Sequence, residues 1–317
     1  MNKNKIYVFI SIMLLFALAC DPPEKEYVAP KIWTMQPIEI TTTEATFRAT
    51  FTKGSEEISI FGFEWKETLE DDRKEVYAEA YSGSYTYSVT HLKEDVQYTV
   101  KAFIIDALGN KYFGEEESFF THGTVTDIDG NVYLTLRYGN KVWMTENLRV
   151  TRFAEGTPLE GRSGGPCLET DGPTYYYSGD HTPYFQEPNF GLLYNAAAIG
   201  SAPLFSYTQG PCPDGWHVAY MSEWMELINY CGGKTAGTTM KTKTWIELGY
   251  SGGNSSRFSI EPAGYYFYNS EESFRSVFYG AYFWTQTDNV IVLIHNSPEF
   301  HVIKLGDSGR SIRCVQN

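Results

Sequence analysis

Positive charge is scarce in this 317-residue chain. Its 25 Lys and Arg face 39 Asp and Glu, leaving a net charge of −14 at neutral pH. A surface of that sign repels phosphates, so nucleic acid is excluded as a partner. Long apolar runs are lacking as well. The run Ile6 to Ala19 spans 14 residues, short of the ~20 that a membrane-crossing helix needs. Helical periodicity is sparse, and the six histidines are scattered. No zinc-protease helix, Walker loop or dinucleotide glycine fingerprint occurs. What is abundant is aromatic: 24 Tyr and 20 Phe, with 42% hydrophobic and 20% charged residues overall. That composition belongs to a folded chain, long enough for two cores. With so few helical patterns, it points to a β-rich, loop-rich exterior protein.

The chain begins with a targeting segment. Lys3 and Lys5 precede the apolar run, so residues 1–19 read as a signal peptide. The segment ends Ala17-Leu18-Ala19-Cys20. Small residues before a Cys resemble a bacterial lipoprotein processing site, with Ala17 where Leu is usual. The alternative is an ordinary secretory signal followed by an unrelated Cys. The lipoprotein reading implies a diacylglyceryl-modified Cys20, membrane attachment through that anchor, and an outer-membrane or cell-surface location. Residues 20–27, with Asp21-Pro22-Pro23-Glu24-Lys25-Glu26, form an acidic Pro-rich tether that holds the folded part off the lipid. Acidic residues at this place resemble a Bacteroidetes surface-export signal.

From 28 to 121 the pattern alternates. Ala45, Phe47, Ala49 and Phe51 face one way; Thr46, Arg48, Thr50 and Thr52 face the other. Further strands are predicted at Ile58–Glu64, Val76–Tyr81, Tyr85–Thr90, Tyr98–Asp106 and Ser118–Phe120, with turns at Gly83, Gly109-Asn110 and Gly114. Such a series predicts an immunoglobulin-like sandwich. Leu92 with Tyr98-Thr99-Val100-Lys101-Ala102 resembles a fibronectin type III tyrosine corner, which implies a Tyr98 hydroxyl bonded to backbone near the preceding turn. The expected role is a spacer.

After the His122-Gly123 linker, Asn131–Arg137 and Lys141–Thr145 flank Gly139-Asn140 and predict a β-hairpin. Residues 155–188 shift to Gly, Pro and Tyr, and are expected to lie on the surface. Pro213-Asp214-Gly215 signals a turn. Beyond it, Trp224, Leu227, Ile228 and Cys231 fall at i, i+3, i+4 and i+7, one apolar face of a helix that Gly232-Gly233 ends. Strands are expected around Phe258, Ile260, Tyr265, Phe267, Phe283, Ile291–Ile294 and Ile312–Val315.

Six ordered stretches carry a family resemblance: Asp127-Ile128-Asp129-Gly130-Asn131-Val132-Tyr133, Trp143-Met144-Thr145-Glu146-Asn147-Leu148, Gly191-Leu192-Leu193-Tyr194-Asn195, Cys212-Pro213-Asp214-Gly215-Trp216-His217-Val218, Tyr282-Phe283-Trp284-Thr285 and Ser311-Ile312-Arg313-Cys314-Val315. Together, residues 122–317 resemble the Fibrobacter succinogenes major paralogous domain of bacterial surface proteins, itself similar to C-type-lectin-like and formylglycine-generating-enzyme-like folds. The fold expected is therefore mainly β: a fibronectin III-like β-sandwich followed by an α+β, C-type-lectin-like domain. Two departures stand out. Ala219 and Tyr220 occupy positions where the family has Pro and then Ser or Thr, which removes the capping box to Glu223 and makes Ser222 the alternative cap, two residues later. Ala196 stands where Trp is frequent, which opens a pocket or repacks a wall.

Apart from Cys20, four cysteines allow three pairings. The resemblance implies a Cys212–Cys314 disulfide. Cys167 and Cys231 then either pair or stay free. With Cys212 and Cys314 bridged, the active-site cysteine pair of formylglycine-generating enzymes has no counterpart, so that activity is not implied.

Remaining chemical signals are thin. His295 and His301 flank Asn296-Ser297-Pro298 and would face each other across a hairpin. Asp127 and Asp129 begin like a calcium loop, but Gly130 comes too early, which favours a hairpin-entry turn. Glu187-Pro188-Asn189 matches the calcium- and sugar-binding tripeptide of mannose-type lectins. It precedes the central helix instead of following it, so no cofactor is expected and Ca2+ is carried as the weak alternative on Glu187 and Asn189. His217 reads as a hydrogen-bonded structural residue. The ligand-binding candidates are Tyr175, Tyr176, Tyr177, Tyr184, Tyr266, Tyr268, Asn269, Arg275 and Tyr279, because Tyr offers a rigid apolar face and a polar tip to sugars and proteins alike. The sequence thus points to a non-catalytic, surface-anchored binding protein with a glycan or a surface protein as ligand. The alternatives are an accessory subunit of a fimbrial or glycan-capture assembly and a polysaccharide-acting enzyme, for which no carboxylate pair is singled out.

Overall fold

The computed structural model describes residues 26–162, 172–177, 190–200, 210–247, 252–267, 274–287, 289–304 and 308–317. The expected signal peptide, Cys20 and most of the expected tether lie outside the described residues. Among those described, no helix is long and apolar enough to cross a membrane.

Alternation decides the first half. Nine strands form: β1 (Lys31–Ile38), β2 (Ala45–Thr52), β3 (Ile58–Glu67), β4 (Lys74–Ala78), β5 (Ala80–Tyr81), β6 (Ser84–Val89), β7 (Gln97–Asp106), β8 (Lys111–Phe113) and β9 (Glu117–Phe120). They pair as two sheets, β1-β2-β6-β5 and β4-β3-β7-β8, with β9 also on β7. Ala45, Phe47 and Ala49, with Phe51 half-buried, share the side that the alternation sets apart, and they meet Phe63, Trp65, Tyr98 and Phe119 in one core. Each large side chain buried there contributes about 2–3 kcal/mol. The single strand expected at Val76–Tyr81 is two, because the chain changes sheets after Ala78. β1 and β8 carry no clear sequence signal. β1 is an edge strand whose register slips between Met35 and Ile38, where Pro37 is tolerated. The Lys93 amide donates to the Tyr98 hydroxyl at 2.9 Å, the corner that the resemblance implied.

The second half has its own cores. β10 (Gly123–Thr126), β11 (Val132–Tyr138) and β12 (Lys141–Met144) form a meander, with Tyr138 opposite Lys141 across the expected Gly139-Asn140 turn. β13 (Glu160–Arg162), β14 (Thr174–Tyr177) and β15 (Leu192–Tyr194) make a small sheet. β16 (Trp216–Val218) leads into helix α1 (Met221–Tyr230) and the short α2 (Ala236–Met240) and α3 (Thr244–Glu247). β17 (Tyr265–Tyr266), β18 (Phe274–Arg275), β19 (Gly280–Trp284), β20 (Val290–Ile294), β21 (Phe300–Ile303) and β22 (Cys314–Gln316) follow. β22 inserts between β12 and β16, completing a five-stranded sheet, β10-β11-β12-β22-β16. Trp224, Leu227 and Ile228 of α1, with Cys231 at its C-cap, are buried against Trp143, Phe258 and Phe283, the face that their spacing predicts.

Several expectations need correction. α1 begins at Met221 with Tyr220 as its N-cap, not two residues later at a Ser222 cap. The Glu223 carboxylate still accepts the Tyr220 amide at 2.9 Å, because that half of a capping box needs only backbone from the N-cap residue. The stretch expected on the surface instead sends Thr174 and Tyr176 into the interior, since β14 is the middle strand of its sheet. His295 and His301 do not face each other: His301 opposes Val292, and His295 lies beyond the end of β20. Cys231 is a free, buried thiol, and Cys167 lies outside the described residues. Ala196 packs half-buried against the core containing Tyr194 and Trp216.

Candidate functional site

The motifs turn out to be a structural network. Asp127 is the hinge of the β10–β11 turn: its carboxylate accepts from the amides of Asp129 (3.0 Å) and Asn131 (2.9 Å), from Asn131 Nδ2 (2.9 Å) and from the Tyr133 hydroxyl (2.6 Å). Asp106 does the same at the β7–β8 turn, with Leu108, Asn110 and Tyr112. Asp-x-x-Gly-Asn-x-Tyr therefore occurs twice in the sequence and folds the same way twice. Asp129 binds the Thr151 backbone and hydroxyl and pairs with Arg152 at 3.0 Å. Both carboxylates of the apparent calcium-loop start are thus engaged by protein donors. Among the described residues, no group of three or more His, Cys, Asp or Glu is placed to hold a metal ion.

Cys212 and Cys314 form the disulfide that the resemblance implied, tying the central turn to β22 across a sequence separation of 102. One residue earlier, Arg313 is fully buried. Its guanidinium donates to Asn147 Oδ1 (2.8 Å) and to the carbonyls of Met144 (3.3 Å), Phe258 (2.9 Å) and Ser259 (2.7 Å), and lies over the Phe258 ring. Burial pulls its pKa down to about 9. Asn147 in turn donates to the Phe190 carbonyl, and Gly191 is required beside it: with φ of +68°, a Cβ there would come within 2.6 Å of Asn147 Cβ. Trp284 Nε1 donates to the Tyr194 carbonyl, and Asn195 Oδ1 accepts from the Thr174 and Ala198 amides. Lys241 is likewise buried, its ammonium held by the carbonyls of Ile294, His295 and Ser297, and burial lowers its pKa to about 8. Nothing in the local sequence distinguishes these cations from surface ones.

His217 sits in a charged clasp. Its Nε2 lies 2.9 Å from Glu223 Oε2, and its Nδ1 lies 2.6 Å from Asn317 Oδ1. Lys141 reaches Glu223 Oε1 at 2.9 Å. The bond to Glu223 raises the His217 pKa. Burial pushes Glu223 up, but the His217, Tyr220 and Lys141 donors outweigh it and hold the carboxyl at about 2. The clasp joins β12, β16 and α1, and it gives His217 the hydrogen-bonded setting expected of it.

The aromatic candidates divide sharply. Tyr176 and Tyr266 are fully buried and stacked on each other, ring centroids 4.0 Å apart at 12°, so neither is a surface residue. That stack pins β14 to the β17–β18 hairpin. Tyr175 and Tyr177 stand on the opposite side of β14, edge to face at 5.7 Å, and Tyr177 is 55% exposed. Burial, followed by the bond to Tyr177, pushes the Tyr175 hydroxyl up to about 12. Arg275 is half-buried on β18 opposite Tyr265. Tyr279 is exposed, its ring 5.3 Å from that of His295. Tyr184, Glu187, Asn189, Tyr268 and Asn269 lie outside the described residues.

Comparison with known proteins agrees with the motifs. The family described as the Fibrobacter succinogenes major domain matches residues 136–316, more than half of the chain, and the protein belongs to that family. No curated protein matches it. Solved structures align mainly with short portions. One is the sensor domain of the anti-sigma factor RsgI4 in Pseudobacteroides cellulosolvens, at 17% identity, covering 29% of this chain and 94% of that one with a TM-score of 0.25. Another is a bromine derivative of BhCBM56, at 14% identity, covering 27% and 97% with a TM-score of 0.22. A third is the cycloalternan-degrading enzyme from Trueperella pyogenes, at 15% identity, covering 38% and 23% with a TM-score of 0.28. At such scores these likenesses carry no functional argument.

Proposed function

We propose that the protein is a non-catalytic lipoprotein, anchored through Cys20 at the outer membrane or cell surface, whose C-terminal half binds a glycan or a surface protein. The observation that carries this reading is the Tyr176–Tyr266 stack. It fixes β14 against β17 and β18, so that Tyr177 is presented on a rigid strand with Tyr175 half-buried beside it. Aromatic faces held rigid lose little entropy on binding, which suits ring-on-ring contact with sugars. The buried disulfide supports an oxidising, exterior compartment. The sandwich serves as the spacer between anchor and ligand.

The test is the full chain on a broad glycan array, with calcium and then with chelator. The expected result is a glycan retained in chelator and lost in Tyr177→Ala, with the melting temperature unchanged because Tyr177 is exposed. Loss with chelator alone would move the site to Glu187 and Asn189. A blank array would overturn the glycan reading in favour of a protein partner. Stoichiometric co-purification from native outer membrane would then identify an accessory subunit of a larger assembly.

A further inference from the structure

A cavity of about 600 Å³ opens where the sandwich meets the second half of the chain. Both halves line it, with Phe120 and His122 on one side and Arg137, Tyr230, Ser255 and Arg257 on the other. Its size falls within the roughly 300–1,000 Å³ typical of small-molecule sites. Its lining runs against the composition of the molecule. Acids outnumber bases 39 to 25 in the chain, yet among the described residues two arginines and no carboxylate line this cavity.

Among the described residues, each guanidinium keeps donors that no protein group accepts. Arg257 spends Nη1 on the Ile40 carbonyl (2.6 Å) and on His122 Nε2 (3.0 Å) and makes no ion pair among the described residues. His122 accepts that bond, so its ring is neutral and the positive charge of the cleft comes from the arginines. Burial, together with Arg257, keeps the His122 pKa down at about 4. Arg137 meets Asp95 through Nη2 at 3.2 Å, while its Nε is buried and makes no hydrogen bond among the described residues. Arg257 also holds a left-handed backbone, φ +60°, a conformation that a non-glycine residue keeps where the surrounding structure imposes it. Tyr230 stands at the mouth, 65% exposed, with its edge against Tyr138 at 6.0 Å.

We propose that this cleft binds a short acidic glycan, the carboxylate or sulfate of one sugar lying on Arg257 and Arg137 and a sugar ring lying on Tyr230. Guanidinium is the side chain suited to planar, bidentate oxyanion recognition. The net charge of −14 repels an extended polyanion, so the fit is to a ligand whose charge is confined to the cleft. This site is separate from the tyrosines of β14 and does not depend on them.

The experiment is calorimetric titration of the full chain with trigalacturonate, with a carrageenan-derived sulfated disaccharide and with neutral galactotriose. The expected result is that a charged probe binds, more weakly as salt rises, and that galactotriose does not. Whichever charged probe binds distinguishes carboxylate from sulfate. Arg257→Gln is expected to weaken binding at least tenfold. Because Arg257 also ties the two halves together, Ser255→Asp is the companion variant. It places a carboxylate on an exposed position of the lining and should weaken binding by about as much, with the circular dichroism spectrum and melting temperature preserved. Failure of both charged probes, equal binding of galactotriose, or a folded Ser255→Asp that binds like the parent would overturn the proposal. Tyr177→Ala is expected to leave this binding unchanged, which separates it from the site proposed at the tyrosines of β14.

Discussion

Replacing Glu223 by Gln tests whether the clasp around α1 is structural. The carboxylate accepts from His217 Nε2, Lys141 Nζ and the Tyr220 amide, and is itself buried. A pKa held at about 2 against an ordinary 4.5 corresponds to roughly 3 kcal/mol of stability at neutral pH. Lys141 is 33% exposed and screened by water, so about 2 kcal/mol is the expected loss. The sign with pH follows from both partners. Glu223 is depressed, so its contribution is present above the unfolded value of 4.5 and disappears as pH falls toward 2. His217 is raised, so its contribution is complete below the unfolded value of 6.5 and disappears as pH rises through the folded value. The gap between parent and Glu223→Gln should therefore be widest between pH 4.5 and 6.5 and narrow on either side. Urea unfolding followed by circular dichroism from pH 3 to 9 measures it. A gap under about 0.5 kcal/mol at pH 5.5, or one that does not shrink below pH 4, would refute the reasoning.

Other substitutions probe the same network. Opening the Cys212–Cys314 bridge with paired Ser substitutions should cost about 4–5 kcal/mol by loop entropy over its 102-residue span, read as a shift in the urea midpoint. Arg313→Ala strands Asn147 Oδ1 and several buried carbonyls, so a loss of about 3 kcal/mol or more, or no soluble protein, is expected from thermal melts. Arg313→Lys should rescue little, because an ammonium cannot span the same acceptors. Asp127→Ala removes the acceptor of the buried Tyr133 hydroxyl and of the turn amides. About 1–3 kcal/mol should be lost, with early hydrogen exchange across β10 and β11.

Much of the fold is legible from local chemistry. Period-two alternation in Ala45 to Thr52 places β2, and Gly139-Asn140 between apolar runs places the β11–β12 hairpin. The i, i+3, i+4, i+7 spacing from Trp224 names the buried face of α1 before any partner is known. At Tyr175-Tyr176-Tyr177 local chemistry stops deciding. Three identical side chains carry no polarity alternation, so the sequence cannot say which ring turns inward. The pairing of β14 between β13 and β15, with Tyr266 waiting across the gap, turns Tyr176 in and leaves Tyr177 out.

Charge follows the same division. Composition alone points to an acidic, aromatic, β-rich chain, and the ordered motifs carry the family resemblance, which implies the disulfide that the structure shows. Tertiary structure decides the fate of individual cations. Arg313 and Lys241 end buried on backbone carbonyls, while Arg137 and Arg257, 120 residues apart, converge on one cleft whose lining, among the described residues, carries no carboxylate. Local periodicity reports which face of an element is apolar. It contains nothing about which distant carbonyl or guanidinium will stand opposite, because that depends on how the sheets and the α1 helix pack together.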